Sequence, residues 1–543
     1  MPRPRGVVGR DELVRDVTID CDAVVVGSGA GGGVVAAELA EAGLDVVVLE
    51  EGSYHPTEEF TAIAGDMVPR LYRDHGASMA MGTPVIVYGE GRCVGGSTVV
   101  NGGMTWRTPE RVLDRWAREH AVDGVGADEM DRIFARVEAL VSAAHQDPES
   151  IGRDNELLRK GAEAMGWKVI PNVRNQLHCA GTNNCAFGCP TGAKRSTLVS
   201  YVPRALAFGA RVYADCRAET LVTHGKRVVG VAARVVRANG TPGARVLVRA
   251  GAVVVAAGSI HTPALLLRSG IRSPSGQIGR NLTLHPNAKV VATFDEDVEG
   301  WKGVHQAYQV REFQEQGYLM AAVNVPPSVL AMGMPFIGRA LDEILSQYNR
   351  IVSGGILVED TTAGRVRVLP GGAPMAFYQL SDWDAERVVR GVALISELLF
   401  AAGARRVWVP FDGVAPLDGP DEVRRLFSRP IPKRAMEIMT THVMGTCRMG
   451  GDRARHVCDP WGKVYDAEGL WLADASLFPT PIGVNPMETI MALATRNAER
   501  IIETHHSRKA AKPTSVGEGR ATWERGAAER LGAPSRSEEA SRQ

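Results

Sequence analysis

A short apolar run followed by glycines is the clearest pattern near the start of the chain. Residues 23–26 are all apolar, which is typical of a strand buried on both faces of a parallel sheet. The glycine-rich segment Gly27–Gly32 follows, and Val34–Ala42 then has the pattern of a helix. A second apolar strand, Val46–Leu49, ends at Glu50. The pattern therefore predicts a strand–helix–strand unit.

The rest of the chain divides into helical and strand-like stretches. Residues 110–170 are helical and charged, and residues 252–257 form another buried strand before Gly258 and a helix over Thr262–Ser269. Strand-like segments alternate over residues 286–434. This region also contains an amphipathic helix, whose apolar face carries Val388, Val389, Val392, Ile395 and Leu399. This order predicts a second sheet backed by helices.

Length and charge narrow the possible functions. A chain of 543 residues exceeds the usual size of one domain, so two domains are expected. Its 62 lysines and arginines balance 62 aspartates and glutamates, which gives no general attraction to nucleic acid or to an anionic membrane. Nucleic-acid binding is therefore not expected.

The ends of the chain and the number of cysteines indicate the cellular compartment. Met1–Leu13 has no apolar run of the kind a secretory signal requires, and no stretch reaches the roughly 18 apolar residues of a membrane-spanning helix. Eight cysteines are too sparse for a disulfide scaffold. These features predict a cytoplasmic protein. From about Ser507 the sequence is polar, and we expect a disordered tail.

The first motif predicts a nucleotide site. Gly27-x-Gly29-x-x-Gly32 lies between a strand and a helix, where glycines permit a tight turn and let the backbone approach a pyrophosphate. Glu50, 18 residues past Gly32, is placed to bind the ribose hydroxyls of an adenosine. The alternative is a tight turn without a ligand, and the motif alone does not separate FAD from NAD.

The second motif distinguishes FAD from NAD. The segment Gly91–Gly102 resembles the first signature of the glucose–methanol–choline (GMC) oxidoreductases, which wraps the flavin in that family. The resemblance implies FAD contacts by Gly95, Gly96, Ser97, Asn101 and Gly102. The alternative is an ordinary glycine loop. Some members attach FAD through a histidine here, whereas this chain has Val100, so the expected FAD is bound non-covalently.

Further blocks continue the resemblance in the family's order. Ala257–Pro263, with Gly258, is similar to the second signature, and Gly279–Pro286 to the segment that follows it. His442–Gly450 is similar to the catalytic-histidine motif. Val464–Pro479, which contains Asp474, and Asn485–Met487 complete the pattern. The resemblance thus covers the chain from about residue 20 to about residue 500.

The resemblance implies an α/β fold. A Rossmann-like FAD-binding domain, with a parallel sheet and the βαβ unit, would be interleaved with an α+β substrate domain built on an antiparallel sheet. The expected boundaries are 18–110, 200–285 and 435–505 for the FAD-binding domain, 286–434 for the substrate-binding domain, 111–199 for a helical insertion with the cysteine loop, and 507–543 for the tail.

The implied reaction is oxidation of an alcohol to an aldehyde or ketone, with hydride transfer to the flavin N5. His442 would be the base, and Asn485 would hydrogen-bond the substrate oxygen and lie beside the cofactor. Asp474 is expected to bind FAD through its local backbone. For His261, His285 and His456 we expect structural roles. The electron acceptor, oxygen or another molecule, stays open.

The substrate is expected to be bulky or apolar. The reason is an apolar, methionine-rich stretch in the substrate domain, although such a stretch is more often core than pocket. Peripheral membrane contact stays an alternative for it. The residues concerned are Met320, Val323, Val325, Val329, Leu330, Met332, Met334, Phe336 and Ile337.

A cysteine cluster suggests a second cofactor. Cys179, Cys185 and Cys189 have the spacing C-x5-C-x3-C-P, which is typical of iron–sulfur ligation. Thr182 stands where a fourth thiolate would complete the series, so at most a 3Fe-4S cluster is expected. The segment also resembles the cluster-binding loop of the bacterial flavin glucose dehydrogenases. The alternatives are a disulfide and a tight loop of buried thiols.

Two other functions stay open at this point. The GMC fold also hosts hydroxynitrile lyases, which hold FAD without using its redox chemistry. A non-catalytic flavin or electron-transfer subunit is the other, with faint support from the cysteine loop. The His442 and Asn485 pair argues against it, because a scaffold needs no base at a flavin.

Overall fold

A computed structural model describes residues 3–510. Its strands, in chain order, are β1 (Val7–Val8), β2 (Val17–Val26), β3 (Val46–Leu49), β4 (Ser78–Met81), β5 (Ile86–Tyr88), β6 (Ala143–His145), β7 (Val169–Pro171), β8 (Val173–Asn175), β9 (Arg211–Tyr213), β10 (Cys216–His224), β11 (Arg227–Val236), β12 (Pro242–Val255), β13 (Arg280–Leu282), β14 (Asn287–Thr293), β15 (Tyr308–Val310), β16 (Tyr318–Ala322), β17 (Ile351–Val358), β18 (Gly364–Val368), β19 (Pro374–Phe377), β20 (Arg406–Trp408), β21 (Met439–Thr440) and β22 (Leu470–Leu472).

The α-helices follow the same numbering. They are α1 (Gly32–Glu41), α2 (Ala64–Leu71), α3 (Glu110–His120), α4 (Ala127–Leu140), α5 (Arg153–Ala164), α6 (Tyr201–Ala207), α7 (Gly258–Arg268), α8 (Pro327–Met332), α9 (Arg339–Leu345), α10 (Asp382–Ala401) and α11 (Met487–Ala510).

The first sheet has eight strands and contains the predicted βαβ unit, β2–α1–β3. Its order is β1-β9-β3-β2-β12-β11-β10, with β22 also beside β12. The pairs from β1 to β12 are parallel, and residues 23–26 of β2 are buried on both faces, as their apolar run predicts. The predicted strand 252–257 is the end of β12. The first half of β12 forms an antiparallel ribbon with β11.

The second sheet has twelve strands and is mostly antiparallel. Its central strand β14 pairs with β17, β20 and β21. One face packs on α10: Ala288 and Val290 belong to a core that includes Ile395 of this helix. Because side chains alternate along a strand, Asn287 and Lys289 lie on the opposite face. These two sheets confirm the α/β fold.

The two sheets draw on interleaved parts of the chain. Beyond residues 286–434, the second sheet takes β4 and β5 from the N-terminal third and β21 from the C-terminal part. The neighbours of β14 are therefore remote in sequence. The exact domain boundaries given above stay a prediction.

The last helix, α11, reaches Ala510 and so passes Ser507, where the polar tail was expected to begin as disorder. The Ser507 side chain makes a hydrogen bond inside the helix, because its Oγ donates to the carbonyl of Glu503. The disordered tail expected over 507–543 stays a prediction, since residues 511–543 lie outside the described residues. Within residues 3–510, no helix is long and apolar enough to cross a membrane.

Candidate active site

The glycines of the first motif form a tight turn between β2 and α1. Gly27 has a φ of +98°, and a Cβ there would lie 2.4 Å from the carbonyl oxygen of Ala256 on the neighbouring strand. A Cβ on Gly32 would lie 2.1 Å from the carbonyl oxygen of Gly27. A Cβ on Gly29 would have only one atom within 4 Å, Cα of Gly96 at 3.8 Å. The turn therefore leaves backbone exposed at the start of α1, as a pyrophosphate site requires.

Ser28 connects this turn to Glu50 and to the second motif. Its hydroxyl donates to the Glu50 carboxylate at 2.7 Å and accepts the N–H of Gly95 at 2.9 Å. Glu50 also accepts the N–H of Gly52. Burial raises the pKa of Glu50, partly offset by these hydrogen bonds. Ser28 was not singled out from the sequence, because a variable position of a glycine motif carries no signal of its own.

The second motif packs directly on the first. Gly96 has a φ of +52°, and a Cβ there would lie 2.9 Å from Cα of Gly29. Ser97 Oγ accepts the N–H of Gly91 at 2.9 Å. Asn101 donates to the sulfur of Met487 at 3.0 Å, which joins the loop to the start of α11. The neighbouring Gly102 approaches the Gln306 side chain. These contacts shape the loop, and its glycines leave backbone free to approach a flat ligand.

Gly258 and Asp474 complete this side of the site. The Asp474 carboxylate accepts the N–H of Gly258 at 2.9 Å and that of Ser476 at 2.8 Å. A Cβ on Gly258 would have only one atom within 4 Å, at 3.6 Å on Glu90. At Gly31, in contrast, an added Cβ would lie 1.5 Å from the carbonyl oxygen of Ala473, so only glycine fits there. Asp474 thus holds the start of α7 against the segment that follows β22.

The backbone around the two glycine motifs and Gly258, which we call the FAD cradle, fits FAD. The predicted contact residues Gly27, Gly29, Gly32, Gly95 and Gly96 converge, and Glu50 follows the strand next to the glycine turn. Open backbone at Gly29 and Gly258 suits a phosphate and a flat ring, as a dinucleotide requires.

The predicted catalytic pair lies at the end of β21. The backbone N–H of His442 donates to Oγ1 of Thr440, which holds the turn after the strand. Nδ2 of Asn485 lies 3.4 Å from Nε2 of His442. The buried Oδ1 of Asn485 has no partner among the described residues. Burial lowers the pKa of His442 to about 4, so the ring is neutral at pH 7.

His285 contacts this pair, although its sequence context favoured a structural role. Its Nδ1 lies 3.3 Å from Nδ1 of His442. Its Nε2 accepts the backbone N–H groups of Ile482 and Gly483, at 3.3 and 3.1 Å. Burial holds the pKa of His285 well below its usual value. A neutral His285 therefore carries its proton on Nδ1 and offers it to His442.

The other two histidines named from the sequence lie elsewhere. Nε2 of His456 is 3.0 Å from Nδ1 of His120, in a buried pair. Nε2 of His261 is 3.9 Å from the Glu90 carboxylate, and burial lowers the pKa of His261 to about 3. Neither is in contact with His442.

The cysteines do not form the predicted ligand set. Among residues 3–510, no group of three or more His, Cys, Asp or Glu side chains is arranged to hold a metal ion. Sγ of Cys185 accepts from Arg174 at 3.1 Å, and Sγ of Cys189 accepts the N–H of Lys194 at 3.4 Å. With Cys179, these thiols stay free, so the 3Fe-4S prediction has no support.

The loop instead encloses the ammonium of Lys194. Its Nζ donates to the carbonyls of Val99, Asn101 and Cys185, at 2.7, 2.7 and 2.6 Å. Burial lowers the pKa of Lys194 to about 8. The glycine-rich cysteine loop and the second motif are therefore tied together by one buried side chain. Sequence gave no signal for this role, since lysine is rarely buried.

A cavity of about 460 Å³ lies near His285, but neither His442 nor Asn485 lines it. It is lined by Thr283, by Asp360 and by residues 478–481, among others. Asp360 accepts the backbone N–H of His285 at 3.1 Å. The cavity therefore lies behind His285, and it is not the expected substrate site.

Models of known protein families match most of the chain. Models of the GMC oxidoreductase family match residues 68–287 and 361–494, and a model of an FAD binding domain matches residues 22–65. Over 505 residues the chain is 36% identical to an uncharacterised GMC-type oxidoreductase of Sinorhizobium fredii, covering 93% of this chain and 99% of that one.

Two further proteins are similar over most of the chain. The long-chain-alcohol oxidase FAO4B of Arabidopsis thaliana is 30% identical over 539 residues, which cover 92% of this chain and 69% of that one. The crystal structure of pyridoxine 4-oxidase from Mesorbium loti superposes with a TM-score of 0.68 at 19% identity, covering 88% of this chain and 99% of that one. The latter supports the fold.

Proposed function

Because this chain belongs to the GMC oxidoreductase family and is an FAD-dependent oxidoreductase, we propose that it oxidises an alcohol to an aldehyde or ketone. The observation that carries the proposal is the meeting of His442 and Asn485, 3.4 Å apart, next to the FAD cradle. A base and a neutral hydrogen-bond donor at one point are what removal of a hydroxyl proton requires.

In this proposal His442 accepts the hydroxyl proton at Nε2 while Asn485 donates a hydrogen bond to the substrate oxygen. The lowered pKa of His442 keeps the ring unprotonated at neutral pH, which a base requires. Bound FAD supplies the acceptor for the hydride, at its N5 atom. We propose that the FAD is bound non-covalently, because Val100 occupies the position of the attaching histidine.

Two hydrogen-bond donors face His442, but a neutral imidazole has only one unprotonated ring nitrogen that can accept a hydrogen bond. His285 offers its Nδ1 proton to Nδ1 of His442, and Asn485 lies at Nε2. The form of His442 that is basic at Nε2 gives up the hydrogen bond from His285 and leaves two N–H groups facing each other, at a cost of about 1–3 kcal/mol for each donor without an acceptor. A cost of this size makes that tautomer the minor form, and base catalysis at Nε2 draws on it.

For the substrate, we propose a bulky or apolar alcohol, which the similarity to long-chain-alcohol oxidases supports. The apolar stretch named from the sequence is divided in the structure. Met332 and Ile337 are exposed, and peripheral membrane contact there stays a proposal. A closed cluster is formed by Val291, Val323, Val325, Leu330, Met334, Ile344, Ile351 and Trp408.

The compartment is also a proposal. All eight cysteines are free, although three lie close in sequence. Free thiols are typical of proteins in a reducing compartment, which supports the cytoplasm.

The test is anaerobic addition of primary and secondary alcohols to the purified holoenzyme. Bleaching of the flavin absorbance, with formation of an aldehyde or ketone in equal amount, is the expected result. A flavin that stays oxidised while a cyanohydrin is cleaved would establish a lyase instead. A flavin that no alcohol reduces would favour an electron-transfer subunit. Admitting oxygen afterwards distinguishes an oxidase from a dehydrogenase by the rate of flavin reoxidation.

A further inference from the structure

The cavity near His285 is lined by segments that are distant in the sequence. Arg448 and residues 478–481 belong to the C-terminal part of the chain. Residues 359–363, which follow β17, and Trp383 of α10 belong to the second sheet and its helices. The volume of about 460 Å³ is within the range of about 300–1,000 Å³ that small-molecule sites have. The cavity is therefore large enough for a small organic molecule.

Arg448 differs from the other arginines that line the cavity, because it has no carboxylate partner among residues 3–510. The other three pair as Arg111 with Glu359, Arg115 with Glu119 and Arg387 with Asp384. The single hydrogen bond of Arg448 within residues 3–510 runs from Nη1 to the carbonyl oxygen of Pro479 at 3.3 Å. Its Nε is buried without an acceptor there. Four of its five N–H groups therefore have no acceptor in this part of the chain.

The carboxylates of the lining do not neutralise Arg448. Asp360 accepts three hydrogen bonds, from donors at 2.7, 3.0 and 3.1 Å. Glu359 and Glu315 both lie within 4 Å of Arg111. The lining thus has four arginines against three carboxylates, and the one positive charge in excess is that of Arg448. A cavity with an excess of positive charge favours an anionic ligand.

Trp383 gives the same lining an aromatic surface. Its side chain is 62% exposed, although tryptophan is highly buried in most proteins. An indole ring contacts flat organic groups over a large area, and such contacts stabilise complexes beyond the burial of apolar surface. The cavity therefore combines one unpaired guanidinium with one exposed aromatic ring, and it has more volume than a single inorganic anion occupies.

We propose that this cavity is a second binding site, for a small organic acid that carries a carboxylate or phosphate group on a flat apolar body. Arg448 binds the acid group through its Nη groups, because a planar guanidinium matches two oxygens of a carboxylate or a phosphate. Trp383 contacts the apolar body. Neither His442 nor Asn485 lines the cavity, so this inference does not depend on the proposed alcohol oxidation.

The experiment measures the binding of benzoate, phenyl phosphate and neutral benzamide to the holoenzyme by isothermal titration calorimetry. We expect both acids to bind about tenfold or more tightly than benzamide, because only the acids carry the charge that Arg448 requires. Arg448→Met should weaken the binding of both acids by about 10- to 100-fold, the range of a charge-assisted hydrogen bond, and should leave benzamide unchanged. Comparison of the two acids shows whether the site prefers a carboxylate or a phosphate.

Arg455→Met is the matched control for the charge. Arg455 is exposed and does not line the cavity, but it is close: burial, and then the charge of Arg455, lower the pKa of Arg448. This variant should bind both acids within about twofold of the wild type, because exposed charges interact weakly through water. Trp383→Ala changes an exposed side chain and should weaken all three compounds by about 3- to 10-fold.

Three results would overturn the inference. The acids could bind no more tightly than benzamide, or Arg455→Met could lose as much affinity as Arg448→Met. Benzoate binding could also disappear in His442→Ala and persist in Arg448→Met, which would place the acid at the catalytic pair. Flavin absorbance and melting temperature show whether each variant is folded. If Arg448→Met does not fold, Trp383→Ala decides, and undiminished binding of the acids by it would contradict the proposed site.

Discussion

Nδ1 of His285 lies 3.3 Å from Nδ1 of His442, although the two residues are 157 positions apart. The same His285 ring accepts two backbone N–H groups of the segment that leads to Asn485. His285 hydrogen-bonds His442 directly and reaches Asn485 only through the backbone of Ile482 and Gly483. We therefore regard it as a positioning residue.

Substitution of His285 should separate its acceptor role from its size. His285→Ala leaves the N–H groups of Ile482 and Gly483 buried without an acceptor, at about 1–3 kcal/mol each. We expect a lower melting temperature and slower flavin reduction by alcohol. His285→Gln, whose Oε1 can take the place of Nε2, should recover much of both. Equal behaviour of the two variants would show that the acceptor does not matter.

The lowered pKa of His442 predicts the pH dependence of flavin reduction. A base must be unprotonated, so the rate falls only as pH falls through the pKa of about 4. Between pH 5.5 and 8 the second-order rate constant for a neutral alcohol should be nearly constant. An ordinary histidine would instead give a falling limb near 6.5. Stopped-flow reduction over this range checks the prediction, and a limb near 6.5 would mean that His442 is solvated.

The contact between the two glycine motifs predicts the effect of Gly96→Ala. The new Cβ would meet Cα of Gly29 at 2.9 Å, and alanine at a φ of +52° costs about 1–2 kcal/mol in addition. Since both loops belong to the FAD cradle, we expect FAD affinity to fall by about tenfold or more. Flavin absorbance retained after gel filtration measures the loss.

Gly65 provides the matched control for this substitution. It lies in α2 with a negative φ, and no atom comes within 4 Å of an added Cβ. Gly65→Ala should therefore keep the FAD and stabilise the helix slightly, because alanine has the higher helix propensity. Equal FAD content in Gly96→Ala and Gly65→Ala would contradict the packing described here.

The buried ammonium of Lys194 predicts that this lysine, and not Cys179, is needed for flavin binding and stability. Lys194→Met removes the donor to three carbonyls, at about 1–3 kcal/mol for each group left unsatisfied. We expect this variant to lose flavin and to melt at lower temperature, whereas Cys179→Ala should change neither. Iron and acid-labile sulfide are measured on the same samples. Stoichiometric iron that disappears in Cys179→Ala would restore the iron–sulfur hypothesis.

The features that sequence predicts well are local. The strand, the glycine turn over Gly27–Gly32 and the acid at Glu50 follow one another directly, so hydrophobic pattern and motif spacing are enough. His442 is recognisable from its own flanking motif. Each of these predictions depends on residues within one short segment.

What sequence misses depends on tertiary contacts. Nothing near His285 indicates that it meets His442, and nothing near Lys194 indicates that it is buried. The cysteine spacing is compatible both with a metal loop and with a loop closed around an ammonium. Only the convergence of side chains separates these two cases.

We propose His442 as the base in alcohol oxidation by bound FAD. The most direct measurement is anaerobic single-turnover flavin reduction by a reactive alcohol in the wild type, in His442→Ala and in the control His145→Ala, which changes an exposed histidine. We expect His442→Ala to retain FAD but to reduce it about 10²- to 10⁴-fold more slowly, and His145→Ala to behave as the wild type. Reduction of the flavin in His442→Ala at the wild-type rate would contradict it.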